Sequence, residues 1–588
     1  MVGFILVIEV HSAAQTENSQ PENFSKEFIL KLDPIRKPLS EVKIDDRTTS
    51  PFEGFGSQSG LSVQGDPESS RPTSLFLRGL GSDRFVLMWN GFKLNDATTP
   101  SGSFSSDELL REFSSQKQIL KGAQTLLYGS QAMGGVLAME EGTADSQLIR
   151  LWLSEEASLA QLSKVAGTEQ HRAGLAFSNF VSNGRSLLGD PIDGERDEKK
   201  LRSFTGFFEE NLTSTHSLKI WWHDRTTHSD DDIFPVDDVD AYSRSAEKRG
   251  AIEGRWGGRD QDHVKLRVEK TQAERESENK DSGGETFLYD EMIREIRSAV
   301  LLSGQWRMDH LQIYSQAEWQ AQDFELLNVG ELVHAERLQS GALVLGGTLA
   351  SGLTAWGLGA RLDCQASNCQ PLLHLSQELF DSEGSLTSLT LAQGLKQPTF
   401  YQLHSIYGDK DLHPETSWTA ELARTGQERW GGWGANLFHT EITEMIDFDF
   451  SSSHYKNIQR ALIDGLELEA SRPWDHGKYK IQVTLMRAID LSSREILPRR
   501  PQWQFAQQVT LEASQMTQWV LSARYLGERK DRGESLAEKW LWDLKFEESQ
   551  NQNIFEAGVK NLMNDSSEEI AGFNSPGRRF WIGIRFHN

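Results

Sequence analysis

The chain has 588 residues, enough for several domains or for one very large β-structure. Its 61 lysine and arginine residues against 86 aspartate and glutamate residues give a formal net charge of −25. This excess of acidic residues argues against nucleic-acid binding, which needs a basic face. No apolar run approaches the roughly 18 residues of a membrane-spanning helix, which excludes a helical inner-membrane protein.

The first residues, MVGFILVIEVHSAAQT, have some features of a secretory signal. Residues 2–10 would form its apolar region, and the small residues at 12–14 are those that a signal peptidase needs. Glu9 interrupts the apolar run and no lysine or arginine precedes Lys26, so either the signal is degenerate or the true start lies upstream. We predict a signal peptide at 1–14 and an exported protein.

The next part of the chain divides into two segments by composition. Residues 15–45 are polar and interrupted by proline, which predicts a flexible arm. The stretch KEFILKLD within this arm carries the apolar triplet Phe28, Ile29 and Leu30. Residues 46–145 are richer in glycine and contain short strand-like runs, such as SLFLRGL and RFVLMWNGF, which predict a compact domain.

From residue 146 to the end, apolar and polar residues alternate in long segments separated by polar loops. In KYKIQVTLMRA, one face carries Tyr479, Ile481, Val483 and Leu485. The closing stretch RRFWIGIRFHN places Phe580, Ile582, Ile584 and Phe586 on one face in the same way. Such a period of two predicts strands with one apolar and one polar face. Long alternating strands with aromatic ends are typical of a transmembrane barrel, whose closure satisfies every backbone group.

Chain length agrees with a large barrel. About 440 residues spread over 22 strands leave roughly 20 residues for each strand and loop, whereas a spanning strand takes about 9–11. A barrel this wide leaves an open lumen unless another segment fills it. The sequence therefore predicts an all-β membrane protein, with an about 22-stranded transmembrane β-barrel at 146–588 and an N-terminal α+β plug domain at 46–145 inside the lumen.

Five stretches resemble, in order, the motifs of TonB-dependent outer-membrane receptors. Two lie in the predicted plug: FLRGLGSDRFVLMWNGFKLND (76–96) and QILKGAQTLLYGSQAMGGVLAM (118–139). Three lie in the predicted barrel, at 394–423, 455–471 and 559–586. The resemblance covers nearly the whole chain and is to receptors of the cobalamin and siderophore type. Among these subfamilies, the compact length is most similar to cobalamin receptors.

The resemblance implies roles for particular residues of the plug. Asn90 stands where the family prefers aspartate, and Lys121 where it prefers arginine. Two plug cations would meet a barrel glutamate as an electrostatic latch formed by Arg78, Lys121 and Glu467; the alternative is a structural pair without a role in gating. The plug motif itself comprises Arg78, Gly79, Asn90, Gly91, Lys121, Gly122, Tyr128, Gly129, Gly134 and Gly135.

The resemblance also implies the function of the chain. It predicts an energy-coupled receptor in the outer membrane of a Gram-negative bacterium, which imports a scarce large ligand such as an iron-siderophore, haem or cobalamin. The implied partners are a periplasmic TonB-type protein with its ExbB–ExbD motor and the membrane lipid, and the receptor would be a monomer. Phe28, Ile29 and Leu30 are the candidate coupling box, which would add as a strand to the periplasmic partner. The alternative is a passive porin or a surface adhesin without energy coupling.

Two cysteines, Cys364 and Cys369, lie close together in DCQASNCQ. This C-x4-C spacing across a turn suits a hairpin-closing disulfide in an oxidising compartment, on an external loop. The alternative is a pair of unrelated thiols.

An acidic segment between Asp224 and Asp240 holds seven aspartates. Oxygen ligands at this density are able to bind calcium, although the EF-hand spacing is absent. A solvated acidic loop is the competing interpretation, which we favour, and it would also contain His223 and His228 as loop residues. The calcium candidates are Asp230, Asp231, Asp232, Asp237, Asp238 and Asp240.

Nothing in the sequence favours an enzyme or a resident cofactor apart from this calcium candidate. Residues 56–60, GSQSG, match the G-x-S-x-G pattern of serine hydrolases. That motif needs a strand before it and a helix after it, and neither is predicted here. The sequence also has no G-x-x-x-x-G-K-[ST] loop for nucleotide hydrolysis.

Overall fold

The computed structural model describes residues 42–45, 58–64, 73–104, 114–141, 146–168, 170–183, 198–230, 241–257, 262–279, 289–366, 368–449, 452–551, 553–573 and 575–587. Among these residues, no helix has the length and the apolar character needed to cross a membrane. Several sequence predictions fall outside the described residues: the signal peptide at 1–14, the coupling-box residues Phe28, Ile29 and Leu30, and Asp231, Asp232, Asp237, Asp238 and Asp240.

The described residues between 42 and 141, which we call the plug, form small sheets and one short helix. A five-stranded sheet has the order β1-β7-β8-β5-β6, in which β5 and β8 are parallel, and a second sheet has the order β2-β3-β4. The elements are β1 Val42–Asp45, β2 Leu61–Gln64, β3 Ser74–Leu77, β4 Leu80–Gly81, β5 Val86–Trp89, β6 Phe92–Lys93, β7 Ser114–Lys121, α1 Thr125–Tyr128 and β8 Gly135–Glu141.

The plug sheet begins earlier than the sequence predicted. Strand β1 lies inside the segment 15–45, which we assigned to the flexible arm. Its residues pair antiparallel with β7, and Val42 stands opposite Ile119. The backbone hydrogen bonds of this pairing place the last four residues of the predicted arm in the plug sheet.

The described residues from 146 onward form one closed barrel of 22 strands, as predicted. Neighbouring strands are antiparallel, and β32 closes the barrel by pairing with β9. A two-stranded hairpin, β28 with β29, lies in the connection between β27 and β30. The barrel strands are β9 Ser146–Ser154, β10 Ala157–Gly167, β11 His171–Asn183, β12 Glu198–Thr213, β13 His216–Asp230, β14 Ala241–Gly257, β15 His263–Asn279, β16 Tyr289–Met308, β17 Leu311–Asn328, β18 Glu331–Ser351, β19 Thr354–Gln365, β20 Asn368–Phe380, β21 Leu386–Lys396, β22 Glu415–Glu428, β23 Gly431–Asp449, β24 His454–Trp474, β25 Gly477–Asp490, β26 Trp503–Glu512, β27 Thr517–Leu526, β30 Lys539–Gln550, β31 Asn553–Lys560 and β32 Arg579–His587; the hairpin strands are β28 Arg529–Asp531 and β29 Glu534–Leu536.

Apolar residues face outward, as the alternation in the sequence predicted. In β32, the outward Ile582 is 57% exposed whereas the inward Trp581 is 5% exposed. Lipid replaces water around such a wall, so the exposed apolar residues are compatible with a membrane.

The two ends of the barrel differ. The end that carries the start of β9 and the end of β32 has short connections, and the opposite end carries the longer ones, including 397–414, 491–502 and 561–578. Short turns are typical of the periplasmic side of such barrels and long loops of the outer side. Exposed tryptophans lie near both ends, as expected at the two lipid–water interfaces: Trp256, Trp356, Trp430, Trp474 and Trp519 near the short-turn end, and Trp418, Trp503 and Trp540 near the long-loop end.

The plug shares its apolar core with the inner wall of the barrel. Trp89 of β5 is fully buried, and its ring meets the ring of Trp221 from β13 with centroids 5.2 Å apart. Phe92 of β6 contacts the same Trp221 ring at 3.7 Å. Apolar packing therefore holds this side of the plug against the wall.

Candidate functional site

Arg78 lies in the two-residue turn between β3 and β4. Arg78 and Gly79 have φ values of 50° and 75°, and the flanking Leu77 and Leu80 pair across the hairpin. A positive φ is uncommon and unfavourable for a residue other than glycine. Contacts of its side chain with the barrel therefore have to hold Arg78 in this conformation.

Arg78 binds two glutamates of the barrel wall. Its Nε and Nη2 donate to Oε1 and Oε2 of Glu467 in β24, both at 2.9 Å. Its Nη1 donates to Oε2 of Glu421 in β22 at 2.8 Å, and the guanidinium lies 4.6 Å from the centre of the Phe438 ring. A two-point contact between arginine and a carboxylate is strong and directional, so this turn is fixed to two strands of the barrel.

Lys121, at the end of β7, adds a second plug cation to the same group. Its Nζ donates to Glu467 Oε2 at 3.1 Å and to Ser59 Oγ at 2.7 Å. Gly60 allows this close approach, because an added Cβ would lie 1.9 Å from Glu467 Oε1. The serine motif at 56–60 therefore contributes residues that pack around this carboxylate. We call the following four residues the first ionic cluster: Arg78, Lys121, Glu421 and Glu467.

The first ionic cluster is buried and balanced in charge. Burial alone would lower the pKa of Arg78, but the charges of Glu467 and Glu421 outweigh it and raise the pKa above its ordinary value. Arg78 therefore keeps its charge. Two cations face two carboxylates, so the loss of any one member would leave an uncompensated buried charge. The three residues predicted as a latch, Arg78, Lys121 and Glu467, are thus brought together, and Glu421 joins them.

A second group of buried charges links the plug to the barrel nearer the long-loop end. Arg84 donates from Nε and Nη2 to the two carboxylate oxygens of Glu415 at 2.8 and 2.9 Å. Lys396 of β21 donates to Asp83 Oδ2 at 2.7 Å and to Glu415 Oε1 at 3.3 Å. Burial raises the pKa of Asp83, but Arg84 and Lys396 outweigh it and hold the pKa well below its usual range. Asp83, Arg84, Lys396 and Glu415 form the second ionic cluster.

Sequence reasoning missed Glu421 and the whole second ionic cluster. All five residues lie within stretches that carried the family resemblance: Asp83 and Arg84 in 76–96, and the other three in 394–423. Two of them, Lys396 and Glu415, stand at the last position of β21 and the first position of β22. Nothing in the sequence shows which distant charge each of the five residues meets.

Barrel arginines hold the plug by its backbone. Arg267 of β15 donates to the carbonyls of Gly91 and Asn90 at 2.7 and 3.1 Å, and Arg249 of β14 donates to those of Lys93 and Leu94. Asn90 and Gly91 form the turn between β5 and β6, with φ values of 48° and 81°. Asparagine and glycine are the residues that tolerate such a turn best, which accounts for asparagine at position 90.

The glycines of the plug motif permit close packing. Gly135 has a φ of 144°, and an added Cβ would lie 2.2 Å from the Leu120 carbonyl oxygen. At Gly134, an added Cβ would lie 3.0 Å from Leu80 Cδ1. The helix α1 ends at Tyr128, and Gly129 follows with a φ of 73°. Gly122, which follows β7, also has a positive φ, 75°.

A cavity of about 200 Å³ lies between the plug and the barrel wall. The charged groups on its wall are Lys93 of the plug and Arg297, Glu318, Arg361 and Asp363 of the barrel. Burial and the nearby Arg297 lower the pKa of Lys93 to about 7. The cavity is lined also by residues 397–400 from a long loop and by Gln365 beside the disulfide hairpin, so it lies on the long-loop side of the plug.

Family models match most of the chain. The model of the TonB-dependent receptor plug domain matches residues 39–136, and the model of the TonB dependent receptor-like β-barrel matches residues 166–562. The chain belongs to the TonB-dependent receptor family. It is accordingly an outer-membrane protein of the type found in Gram-negative bacteria, and the family consists of transporters and not of enzymes.

Solved structures share the fold of this receptor along nearly its whole length. The copper transporter OprC is 15% identical with a TM-score of 0.80, covering 94% of this chain and 98% of its own. The siderophore receptor PirA from Acinetobacter baumannii is 12% identical with a TM-score of 0.78, covering 94% and 98%. A mutant of the ferric enterobactin receptor PfeA from Pseudomonas aeruginosa, in complex with enterobactin, is 13% identical with a TM-score of 0.79, covering 93% and 99%. At these identities the likeness shows the fold alone.

The disulfide candidates of the receptor lie in the hairpin between β19 and β20. Cys364 and Cys369 are opposite each other in register and are joined, with Cα atoms 4.0 Å apart. This hairpin belongs to the end of the barrel that carries the long loops.

Asp230 is the one calcium candidate that lies within the described residues. Its carboxylate accepts from the backbone N–H of Glu198 at 2.9 Å and lies 3.4 Å from His228 Nε2. His223 and His228 lie in β13, not in a loop as the sequence predicted. Strand β13 continues to Asp230 because its residues pair on both sides with β12 and β14.

Proposed function

We propose that this receptor imports a scarce large ligand across the outer membrane, as a monomer, with energy delivered by a periplasmic TonB-type protein and its ExbB–ExbD motor. The observation that carries the proposal is the pair of ionic clusters that ties the plug to the inner wall of a closed barrel. A ligand can cross only when the plug moves, and this movement requires the buried charges to separate or to shift together.

The energy for that step has to come from outside the chain. Breaking one buried ion pair by removing a partner costs about 3–5 kcal/mol, and the plug has two such clusters. The sequence has no nucleotide-hydrolysis loop. The polar arm that precedes the plug is the segment through which a periplasmic partner would pull, and Phe28, Ile29 and Leu30 are the proposed point of attachment by strand addition.

The cavity above the plug supports a polar ligand. Its wall carries Arg297, Arg361 and Lys93, whose lowered pKa leaves it partly charged near neutral pH, and the two carboxylates of Glu318 and Asp363, which pair with Arg361. The similar structures include the siderophore receptor PirA and the ferric enterobactin receptor PfeA, so we propose an iron-siderophore as the first candidate, ahead of haem and cobalamin.

Uptake in living cells tests the proposal. A strain that lacks its own TonB-dependent receptors would express this protein and be given radiolabelled ferric siderophores, haemin or cyanocobalamin. We expect cells to bind the ligand at their surface whether or not a protonophore is present. The ligand should accumulate inside the cells only when the protonophore is absent. Accumulation that continues at the same rate in the presence of the protonophore would favour the passive porin.

A further inference from the structure

Two histidines and one glutamate converge at the outer mouth of the barrel. His334 and Glu336 lie in β18, two residues apart on its inward face, and His404 ends the helix α2, Phe400–His404. One ligand atom from each of the three side chains lies within 4.8 Å of the other two. We call these residues the mouth triad.

The barrel wall explains why the mouth triad forms. Strand β18 pairs with β19 from Ser340 onward, and Gln339 still accepts a backbone hydrogen bond from Ala366. The eight residues of β18 before Gln339 rise above the disulfide hairpin, with no strand partner on that side among the described residues. The loop 397–414, with α2, lies against this raised part of the wall. The capping box at Thr399 fixes the start of α2, and the Phe400 ring stacks on Phe324 with centroids 4.8 Å apart.

The distances within the mouth triad suit a metal ion. His404 Nε2 lies 2.6 Å from Glu336 Oε2, and His334 Nε2 lies 3.8 Å from the same oxygen. Two donors that bind one tetrahedral ion at about 2.1 Å lie about 3.4 Å apart. The observed separations lie on both sides of this value, so small side-chain rotations are enough for the three atoms to surround an ion.

The polar atoms of the mouth triad lack other partners. His334 Nε2 and His404 Nδ1 are buried atoms without a hydrogen bond to any described residue, and Glu336 Oε2 meets the imidazoles of His404 and His334. Burial of an unsatisfied polar atom is unfavourable.

We propose that His334, Glu336 and His404 bind a divalent transition-metal ion at the mouth of the receptor. Two imidazole nitrogens and one carboxylate oxygen form a donor set of the kind that binds Zn²⁺, and imidazole also suits Cu²⁺ and Ni²⁺. Three protein ligands leave a coordination position for a ligand from outside. Ca²⁺ and Mg²⁺, which take oxygen ligands, are poor matches. A bound ion would also join the loop 397–414 to β18, beside the cavity that Phe324, Leu338 and Phe400 help to line.

Equilibrium dialysis of Zn²⁺ against the purified receptor, produced without a polyhistidine tag, tests this site. We expect one Zn²⁺ per chain, not displaced by excess Ca²⁺. Loss of a residue that only hydrogen-bonds to a metal ligand lowers metal affinity roughly 10–100-fold. Because H334A, E336Q and H404A each alter a proposed ligand itself, each should lower the affinity for Zn²⁺ at least about tenfold. Binding to the purified protein needs no energy-transducing partner, so failure of this site would leave the import proposal standing.

A matched control is available in the same loop. The side chain of His413 is 76% exposed, and its Nδ1 lies 3.9 Å from Glu444 Oε2. The variant H413A should therefore bind Zn²⁺ with the same affinity as the unaltered receptor. Each variant should still migrate as a folded barrel on a gel before heating. Equal Zn²⁺ affinity in the unaltered receptor and in folded H334A and H404A, or no Zn²⁺ binding by the unaltered receptor, would overturn the proposal.

Discussion

Arg78 and Glu467 form a two-point ion pair across the boundary between plug and barrel, with both nitrogen–oxygen distances at 2.9 Å. The pair joins a turn in an unfavourable backbone conformation to the middle of a membrane strand. Because Lys121 shares the same carboxylate, Glu467 balances two plug cations. A change at Glu467 should therefore act on the attachment of the plug more than on the barrel.

The variant Glu467→Gln keeps the shape of the side chain and removes its charge. Arg78 and Lys121 would then be buried with the single carboxylate of Glu421, and the uncompensated charge should weaken the attachment of the plug by about 3–5 kcal/mol. Purified E467Q in planar bilayers should open to ion conduction at a lower urea concentration than the unaltered receptor.

Glu469 offers the control for this variant. It lies two residues along the same strand and interacts with Gln482 of the neighbouring barrel strand at 3.4 Å. Glu469→Gln should leave the urea dependence of conductance unchanged. Identical urea dependence in E467Q and the unaltered receptor would show that the first ionic cluster does not hold the plug.

The variant Gly134→Leu tests the close packing of the plug. An added Cβ would lie 3.0 and 3.1 Å from two atoms of Leu80 and 3.3 Å from the Arg84 carbonyl oxygen. Overpacking of this kind costs about 1–3 kcal/mol, and the displacement would reach the second ionic cluster through Arg84. Cells that carry G134L should become more sensitive to large antibiotics, although the barrel itself persists in detergent.

Gly250 gives a matched control for this change, because an added Cβ there meets only the Trp221 carbonyl oxygen at 3.8 Å. Cells with Gly250→Leu should show ordinary antibiotic sensitivity. If G134L cells were no more sensitive than G250L cells, the plug would tolerate the larger side chain and the proposed packing role of Gly134 would be wrong.

The barrel could be predicted from sequence because its signal is local. Ile582 faces lipid and Trp581 faces the interior, and this alternation holds wherever a strand separates two environments. The ionic clusters are not local: 331 residues separate Arg84 from Glu415. A single sequence contains no information on which distant charges meet, and only the family resemblance pointed to Glu467.

The mouth triad shows the same limit. The spacing of His334 and Glu336 on one strand face is visible in the sequence, but His404 arrives from a separate loop. The misplaced histidines, His223 and His228, have a different cause. The acidic composition after them indicated a loop, whereas pairing with two neighbouring strands extends β13 to Asp230.

The disulfide predicts a simple labelling result. Cys364 and Cys369 are joined at the end of a short hairpin, so a thiol reagent should label neither residue in the purified receptor. After reduction it should label both, and Cys364→Ser should expose the thiol of Cys369 without reduction. Labelling of both cysteines in protein that has never been reduced would contradict the bridge.

The last prediction concerns the arm, in which Ile29 lies outside the described residues. If the periplasmic partner pairs with this segment as an added strand, main-chain hydrogen bonds provide the attachment, and proline lacks the N–H that such pairing uses. Ile29→Pro should therefore leave surface binding of the ligand intact and abolish its accumulation inside the cell. Asn18→Pro, in the same arm but away from the apolar triplet, is the matched control and should accumulate ligand normally. Normal accumulation in I29P would show that coupling uses another part of the arm or that transport is passive. Deletion of residues 15–40 distinguishes these two: loss of accumulation would show that coupling uses another part of the arm, whereas uptake that continues without the arm and is insensitive to a protonophore would show passive transport.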